Sequence, residues 1–414
     1  MKTIKDSVHD HITVDGVARE LLDTPAVQRL RRIRQLGTVH LVYPSANHTR
    51  FEHSLGVYHL ACRALAELGI AGRSGAHLRA AAILHDIGHA PYSHNIESII
   101  FRRTGSYHDD VLQLLEGGAI GSVLRAHDLE PDVIAGLIKG EGRYGQLISG
   151  ELDVDRMDYL VRDAHHTGVP YGTIDHTRLL KELRFVDGQL VLAAGNVQTA
   201  ESLLLARALM NPTVYNHHVA RISKRMLRHA VRTLLDETAM DASTLRLMDD
   251  HDLHVQLRQC EATREMARRL DERCLYKRAI WAEYNRVPIW LRDAPDEELR
   301  SIEVAIADRL EIDRGLVIID RPAEPTMRES TARVLVGEDI VRLGDRSPLV
   351  RTLRESQRHQ WRLGVYCPRE HREAVANAAA SVLGLELTEG FVVERDIGRY
   401  SRLDEFEGRS SRDE

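Results

Sequence analysis

The sequence predicts a mainly α-helical protein with one short β-hairpin, followed by a small α+β lobe. Three observations carry that expectation. Apolar residues recur at helical spacing through most of the first 288 positions, as Val27, Leu30, Ile33 and Leu36 do. Asp187-Gly188, set between two apolar runs, interrupts that rhythm with a pair suited to hairpin turns. After Pro288 short β-branched runs alternate with helical patterns, the texture of an α+β unit. The expected organisation is a helical domain over 1–288 with its core in 1–240, a lobe over 289–402 and a charged tail over 403–414.

The elements follow in order. A helix over 17–36 stops and restarts at Asp23-Thr24-Pro25, with Thr24 as N-cap and Pro25 at the first helical position. Two striped helices occupy 54–69 and 76–88, and the second delivers His85 and Asp86 at its end, where Gly88 and Pro91 stop it. Helical patterns continue over 94–104, 107–116, 121–127, 131–138, 151–167 and 175–183. The hairpin takes 184–194, and helices resume over 196–210, 213–239, 251–270 and 274–285. In the lobe, β-runs at 315–320, 333–337, 340–343 and 361–366 alternate with helices at 295–310, 348–358 and 369–383.

Of 414 residues, 43% are apolar and 29% charged, the balance of an ordinary globular chain. No apolar run reaches eighteen residues and the first residues hold no signal-peptide core, so neither membrane insertion nor export is expected. Four scattered cysteines without a Cys-x-x-Cys pair argue against a disulfide framework and for a reducing cytoplasm. A net charge of −6 argues against a protein that coats nucleic acid. The 22 histidines are the anomaly, and eleven of them precede residue 112.

Those histidines concentrate in His85-Asp86-Ile87-Gly88-His89-Ala90-Pro91-Tyr92-Ser93-His94, with Arg50-Phe51-Glu52-His53 upstream. Imidazoles with a carboxylate suit a borderline divalent metal such as Mn, Fe, Zn or Ni. His85 and His89 are spaced to face one cavity if the turn between them is helical. A lone His53 is more often a polar residue at a helix start, but beside a His-Asp pair it becomes a third ligand. Asp155 is the natural fourth, in Asp153-Val154-Asp155-Arg156-Met157-Asp158-Tyr159. Asp155, Asp158, Tyr159, Arg162 and Asp163 share one helical side, a polar stripe expected to form a substrate-facing wall. Arg221, Arg225, Arg228 and Arg232 form a basic ridge at helical spacing, read as a solvated face able to receive phosphates.

These motifs together resemble the HD-domain metal-dependent phosphohydrolases of the deoxynucleoside triphosphate triphosphohydrolase branch. The resemblance rests on Asp23-Thr24-Pro25, Gln28-Arg29-Leu30-Arg31, Gln35-Leu36-Gly37, Arg50 to Val57, His85 to His89 and Asp153 to Tyr159, and it spans about residues 1–240. It implies an HD-type helical core in which His53, His85, Asp86 and Asp155 hold a divalent metal, Mg being a further candidate. It places Arg50 at the α-phosphate and His89, His94 and His108 along a phosphate channel, with Glu97 orienting a catalytic histidine. It assigns Tyr159, Asp163 and Gln35 to the 3′-hydroxyl. Tyr215 with Leu36 would exclude a 2′-hydroxyl, and Arg156 and Arg207 complete the substrate set. Asp23, Gln28 and Arg31 would read a dGTP or GTP effector between subunits of a homodimer or homotetramer. The sequence departs from the family pattern at Asn211, where relatives often have histidine, and at Arg156, where they have lysine. Glu97 stands for a frequent aspartate and Asp109 for a frequent glutamate. The expected reaction is dNTP hydrolysis to deoxynucleoside and inorganic triphosphate. The rivals are the same ligands serving other phosphoesters, such as nucleoside monophosphates, dinucleotides or single-stranded nucleic acid, or a nucleotide-binding regulator without turnover.

Overall fold

The computed structural model describes residues 1–193, 195, 197–323 and 332–386. The chain opens with an antiparallel hairpin absent from the sequence expectation, β1 (Lys2–Asp6) and β2 (Asp10–Val14), in the register Lys2 to Val14. The helical segment expected over 17–36 does stop and restart at Asp23-Thr24-Pro25, giving α1 (Gly16–Leu22) and α2 (Pro25–Arg29), but beyond Arg29 it passes into short 3₁₀ turns at Leu30–Arg32 and Gly37–Leu41. Thr24 occupies the N-cap position of α2, with Pro25 at its first position, but its hydroxyl donates back to Leu21 O at 2.7 Å and caps no helical N–H.

Helix α3 (Arg50–Glu67) starts four residues before the apolar stripe does. The cause is a capping box: Glu52 accepts from the Thr49 backbone while the Thr49 side chain serves the third helical N–H. Helix α4 (Gly72–Leu84) ends at His85, and then come α5 (Glu97–Thr104), α6 (Leu112–Glu116), α7 (Gly118–Ala126) and α8 (Pro131–Ile138). The expected helix over 107–116 begins only at Leu112, because Tyr107 and Asp110 close a turn instead. Helix α9 (Val154–Thr167) is capped by Asp153, which accepts from Arg156 N at 2.7 Å. After α10 (His176–Glu182) comes the expected hairpin, β3 (Leu183–Val186) and β4 (Gln189–Ala193). Helices α11 (Val197–Met210) and α12 (His218–Glu237) are joined by a π-helical turn, Asn211–Tyr215, which shortens the helix expected from 213.

Helix α13 (Ala242–Leu247) precedes α14 (Asp250–Gln259) and α15 (Glu261–Asp271). The last two were expected as one helix; they part where Cys260 adopts extended backbone. The expected helix over 274–285 is a strand, β5 (Lys277–Glu283). Ile280 and Trp281 favour the pleat, and pairing on both backbone edges of its partner strand outweighs the weak helical period. Beyond it lie α16 (Ile289–Asp293), α17 (Asp296–Arg309), β6 (Ile318–Asp320), β7 (Arg333–Val336), β8 (Asp339–Arg342), α18 (Leu343–Arg346), α19 (Pro348–Gln360), β9 (Arg362–Cys367) and α20 (Arg372–Leu383).

Two compact units result, and they interleave in sequence. The first joins Met1–Leu275 with Pro325–Gln360, because β7 pairs parallel to β4 in a sheet ordered β3-β4-β7-β8. The second joins Tyr276–Glu324 with the chain from Trp361 onward, around the antiparallel sheet β5-β9-β6 covered by α17 and α20. The boundary expected at 288 therefore falls at 275, since β5 belongs to the second sheet, and residues 332–360 return to the helical unit. The mainly α architecture with a small α+β part stands. The tail from 403 lies outside the described residues. No helix among the described residues is long and apolar enough to cross a membrane.

The helical unit is organised around α3, which packs on α4 and α9. Leu55, Leu60, Ala61, Ala64 and Leu65 are buried along it, and each leucine removed from water contributes roughly 1.5–3 kcal/mol. Gly56 lies where α3 meets α9, and a Cβ there would overlap the Asp158 carboxylate and crowd the Arg162 guanidinium. Gly56→Ala is expected to cost roughly 1–3 kcal/mol of stability through overpacking, read as a lowered urea midpoint with unchanged slope; an unshifted midpoint would contradict this close packing.

Candidate metal and phosphate site

Three helix ends deliver the four expected metal-ligating side chains to one place. The capping box sets His53 one turn into α3, the end of α4 presents His85 and Asp86, and the Asp153 cap puts Asp155 in the first turn of α9. Asp155 Oδ1 stands 2.9 Å from His53 Nε2 and 4.0 Å from His85 Nε2. The two Nε2 atoms are 3.3 Å apart, and the Asp86 oxygens lie 3.4 Å from His85 Nε2 and 3.9 Å from His53 Nε2. Ligands held about 2.0–2.2 Å from one cation stand about 3–4 Å from each other, which is the spacing found. His53, His85 and Asp86 are buried, and Asp155 is the member open to the outside.

The outer ring nitrogens are fixed as metal-ligating histidines require. His85 Nδ1 donates to Ala82 O at 2.9 Å, and His53 Nδ1 donates to Asp158 Oδ2 at 2.7 Å, so both Nε2 atoms face the cluster. Electrostatically the cluster calls for positive charge. Burial opposes a charged His53, yet its hydrogen bonds to Asp155 and Asp158 outweigh it and raise its pKa to about 10. Burial likewise opposes ionisation of Asp86, but Arg50 and the neighbouring imidazoles hold its carboxyl well below the usual range. His53, His85 and Asp86 form a donor set that fits a divalent cation, and Asp155 stands beside its two imidazoles.

Asp158 was expected on a substrate-facing wall and is instead wholly buried behind the cluster. It accepts from His53, from His9 Nε2 at 2.7 Å, and from Arg162 Nε and Nη2 at 2.8 and 3.0 Å. Arg162, also fully buried, continues to Asp6 at 2.9 and 3.2 Å. The helical period did place these residues on one side of α9; the N-terminal hairpin, unseen in the sequence, covers part of that side.

A second cluster adjoins the first through Asp86, whose Oδ1 lies 3.2 Å from His89 Nε2. His89 does not pair with His85 as helical spacing suggested, because α4 has already ended; its ring stacks on His108 at 4.2 Å. Glu97 bridges two histidines: Oε2 accepts from His94 Nδ1 at 2.9 Å and Oε1 from His108 Nδ1. Burial opposes charge on Glu97, but these two imidazoles hold its carboxyl well below the usual range. Burial also opposes charge on His108, and Glu97 reverses it, so the His108 pKa is raised. His94 is the exposed member. Arg50 connects both clusters, donating to Asp86 Oδ2 at 2.8 Å and to Ser93 Oγ at 2.5 Å. Tyr92 and Ser93 both hold positive φ, 54° and 56°, strained backbone of the kind that gathers at functional sites.

On the other side of Asp155 the expected sugar-recognition residues come together. Asp163 Oδ2 accepts from Tyr215 Oη at 2.8 Å, and Asp163 Oδ1 accepts from His48 Nε2 at 2.7 Å. Tyr159 meets Tyr215 edge-on at 6.3 Å. Burial raises both phenols, and Arg207 lies close enough to act against it in each case. Arg156 donates from Nη1 to Glu151 O at 2.8 Å and is hydrogen-bonded to Tyr159. Gln35 is buried beside His48, with its Oε1 unpartnered among the described residues, and Leu36 is half-buried next to it. Tyr215 ends the π-helical turn that begins at Asn211.

The comparisons with known proteins agree with this arrangement. Residues 50–163 match the HD domain and residues 174–392 the HD associated region. The chain belongs to the HD-domain phosphohydrolases. An uncharacterized protein of Methanocaldococcus jannaschii is 36% identical over 89% of this chain and 80% of its own length. The deoxynucleoside triphosphate triphosphohydrolase SAMHD1 homolog of Dictyostelium discoideum is 32% identical, but the match takes 55% of this chain and 48% of that protein. Among solved structures, a phosphohydrolase from Bacteroides thetaiotaomicron superposes with a TM-score of 0.72 at 25% identity, covering 89% of this chain and all of that one. A hypothetical protein from Aquifex aeolicus superposes at 0.75 and 27%, covering 91% and 99%.

Within this HD-domain chain the three residues expected to read an effector lie together on the outside. Asp23 accepts from Lys2, Gln28 accepts from Arg31 Nε at 2.8 Å, and Arg31 stacks over Phe51 at 3.6 Å. The basic ridge is no solvated face. Arg221 is buried, Arg228 donates to Ser98 at 2.6 Å and Arg232 to His229 at 3.1 Å, because α12 buries that side in the unit. Sequence reasoning missed His9, His48, Asp6 and the inward role of Asp158. The i, i+3 spacing from Asp155 was a signal for Asp158; nothing local marked His9 or His48. In the metal-free protein His53 and His108 are both expected to titrate above the ordinary 6.5. Glu97→Gln should bring the His108 value down, since the largest influence opposing burial is then lost; a His108 titration unmoved by that change would contradict the bridge.

Proposed function

We propose that this HD-domain phosphohydrolase converts deoxynucleoside triphosphates to deoxynucleoside and inorganic triphosphate with a divalent ion, Mn, Fe, Mg, Zn or Ni, held by His53, His85, Asp86 and Asp155. The observation that carries the reading is the joining of that donor cluster to the Glu97-bridged histidines on one side and to the Asp163–Tyr215 pair on the other. A bound divalent ion supplies charge neutralisation at an α-phosphoryl oxygen and a more acidic water. The remaining work falls to the chain. Arg50, fixed by Asp86 and Ser93, keeps N–H groups for an α-phosphate oxygen, where a planar guanidinium matches phosphate geometry. His89 and His108 line the path of the β- and γ-phosphates. His94, exposed and oriented through Nδ1 by Glu97, delivers the proton to the 5′-oxygen as the bond from that oxygen to the α-phosphorus breaks and a water oxygen takes its place.

At the sugar, Tyr159, Asp163 and Gln35 receive the 3′-hydroxyl, and Arg156 and Arg207 flank the phosphates and phenols. Tyr215 is held by Asp163, itself held by His48, so its ring does not yield to a 2′-hydroxyl pressed between it and Leu36. A guanine nucleotide effector at Asp23, Gln28 and Arg31, a homodimeric or homotetrameric assembly and a cytoplasmic setting belong to the same reading; the sequence resemblance supports them.

The test is incubation with each dNTP and rNTP, with and without dGTP, in Mn²⁺ or Mg²⁺. Inorganic triphosphate is expected from dNTPs and little from rNTPs. His94→Ala is expected to lower kcat by about 10²–10⁴-fold, and Asp86→Ala to abolish turnover. Release of pyrophosphate, or turnover of monophosphates or dinucleotides in place of dNTPs, would favour the rival substrates of the same ligands.

A further inference from the structure

We propose that the N-terminal hairpin is a positioning device for the cation cluster, acting through His9 and Asp6 on Asp158 and so on His53. This rests on the reading of His53 as a metal ligand. The turn of the hairpin, residues 7–9, is built by Asp6, whose Oδ1 accepts from Val8 N at 2.9 Å and His9 N at 2.8 Å. That turn aims the His9 ring inward, where its side chain is 2% exposed and its Nε2 donates to Asp158 Oδ1. His59 stacks on the ring at 5.1 Å and His176 meets it edge-on at 5.6 Å, which fixes its plane. The other side of Asp6 receives Arg162, whose Nε and Nη2 grip both oxygens of Asp158.

With Oδ1 taken by His9 and Arg162, the Asp158 carboxylate has one orientation, and Oδ2 faces His53 Nδ1 at 2.7 Å. An ionised carboxylate only accepts. A proton of His53 is therefore kept on Nδ1, and Nε2, which faces His85, Asp86 and Asp155, is the nitrogen left to give up its proton to a cation. His9 touches none of these three; it is a positioning residue. Outer partners of this kind typically govern metal affinity by 10–100-fold. An amide at 158 would be able to donate to Nδ1 and place the His53 proton on Nε2, the wrong tautomer for a ligand.

The experiment measures Mn²⁺ affinity of the full chain by equilibrium dialysis without nucleotide, together with the thermal midpoint by circular dichroism. Asp158→Asn is expected to weaken Mn²⁺ binding by about 10–100-fold. His9→Ala is expected to weaken it about tenfold, while His9→Gln, which keeps an N–H near the Nε2 position, stays within about twofold of the parent. Mn²⁺ affinity unchanged in folded His9→Ala and Asp158→Asn, with only the midpoint lowered, would overturn the proposal and leave the hairpin a structural cover. Should Asp158→Asn not fold, the contrast between His9→Ala and His9→Gln decides. A parent chain that binds no Mn²⁺ would overturn the proposal together with the cation site. Because no nucleotide is present, the substrate assignment can fail without altering this result.

Discussion

The Asp158 carboxylate accepts hydrogen bonds from His53, His9 and Arg162 in a pocket closed to water, and the donor cluster depends on it. It ties α9 to α3 at the one place where Gly56 lets the helices approach, and through Arg162 and Asp6 it anchors the N-terminal hairpin. A buried charge network of this kind is a poor source of net stability, because taking ions out of water costs most of what their attraction returns. Removing one partner is a different matter, at about 3–5 kcal/mol, since it strands the others. What such a network secures is orientation. The three helix ends bring the cluster residues within reach, but the direction of His53 Nε2 is set from behind.

Glu97 repeats the device in the second cluster. One carboxylate, charged because two imidazoles keep it so, orients His94 and His108 together. Asp86 and Arg50 join the two clusters, so charge on one side is felt on the other. Burial and Arg50 hold the His89 pKa well below its ordinary value, which keeps that ring neutral between the cation cluster and the Glu97 pair. An arrangement that alternates fixed carboxylates with imidazoles of different protonation suits phosphate chemistry, where charge has to be met and a proton passed within a few ångströms.

Much of this was legible in the sequence, for physical reasons. His53, His85, Asp86 and Asp155 sit in local motifs whose spacing is fixed by helix ends, and the structure does bring the four together. The hairpin at Asp187-Gly188 was marked by its turn residues. The losses came where tertiary contacts decide. β1 and β2 are mostly polar outside and carry no long apolar alternation, so nothing announced the strands that bury His9. β5 carries helix-forming Ala279 and Ala282, and only its antiparallel pairing with β9 makes it a strand. Asp158 and Arg162 were correctly put on one side of α9 and wrongly given to the substrate, because period alone cannot say what covers a helical face. His48 lies in the loop before α3 and joins Asp163 across 115 residues of chain, a contact no window of sequence contains.

The most direct test of the central claim is a crystal structure of the Mn²⁺-loaded chain with anomalous scattering recorded at the manganese edge. The account expects one ion bound by the Nε2 atoms of His53 and His85 and by carboxylate oxygens of Asp86 and Asp155, with Asp158 still hydrogen-bonded to His53 Nδ1. An ion held elsewhere, or Asp155 turned away while the other three bind, would contradict it.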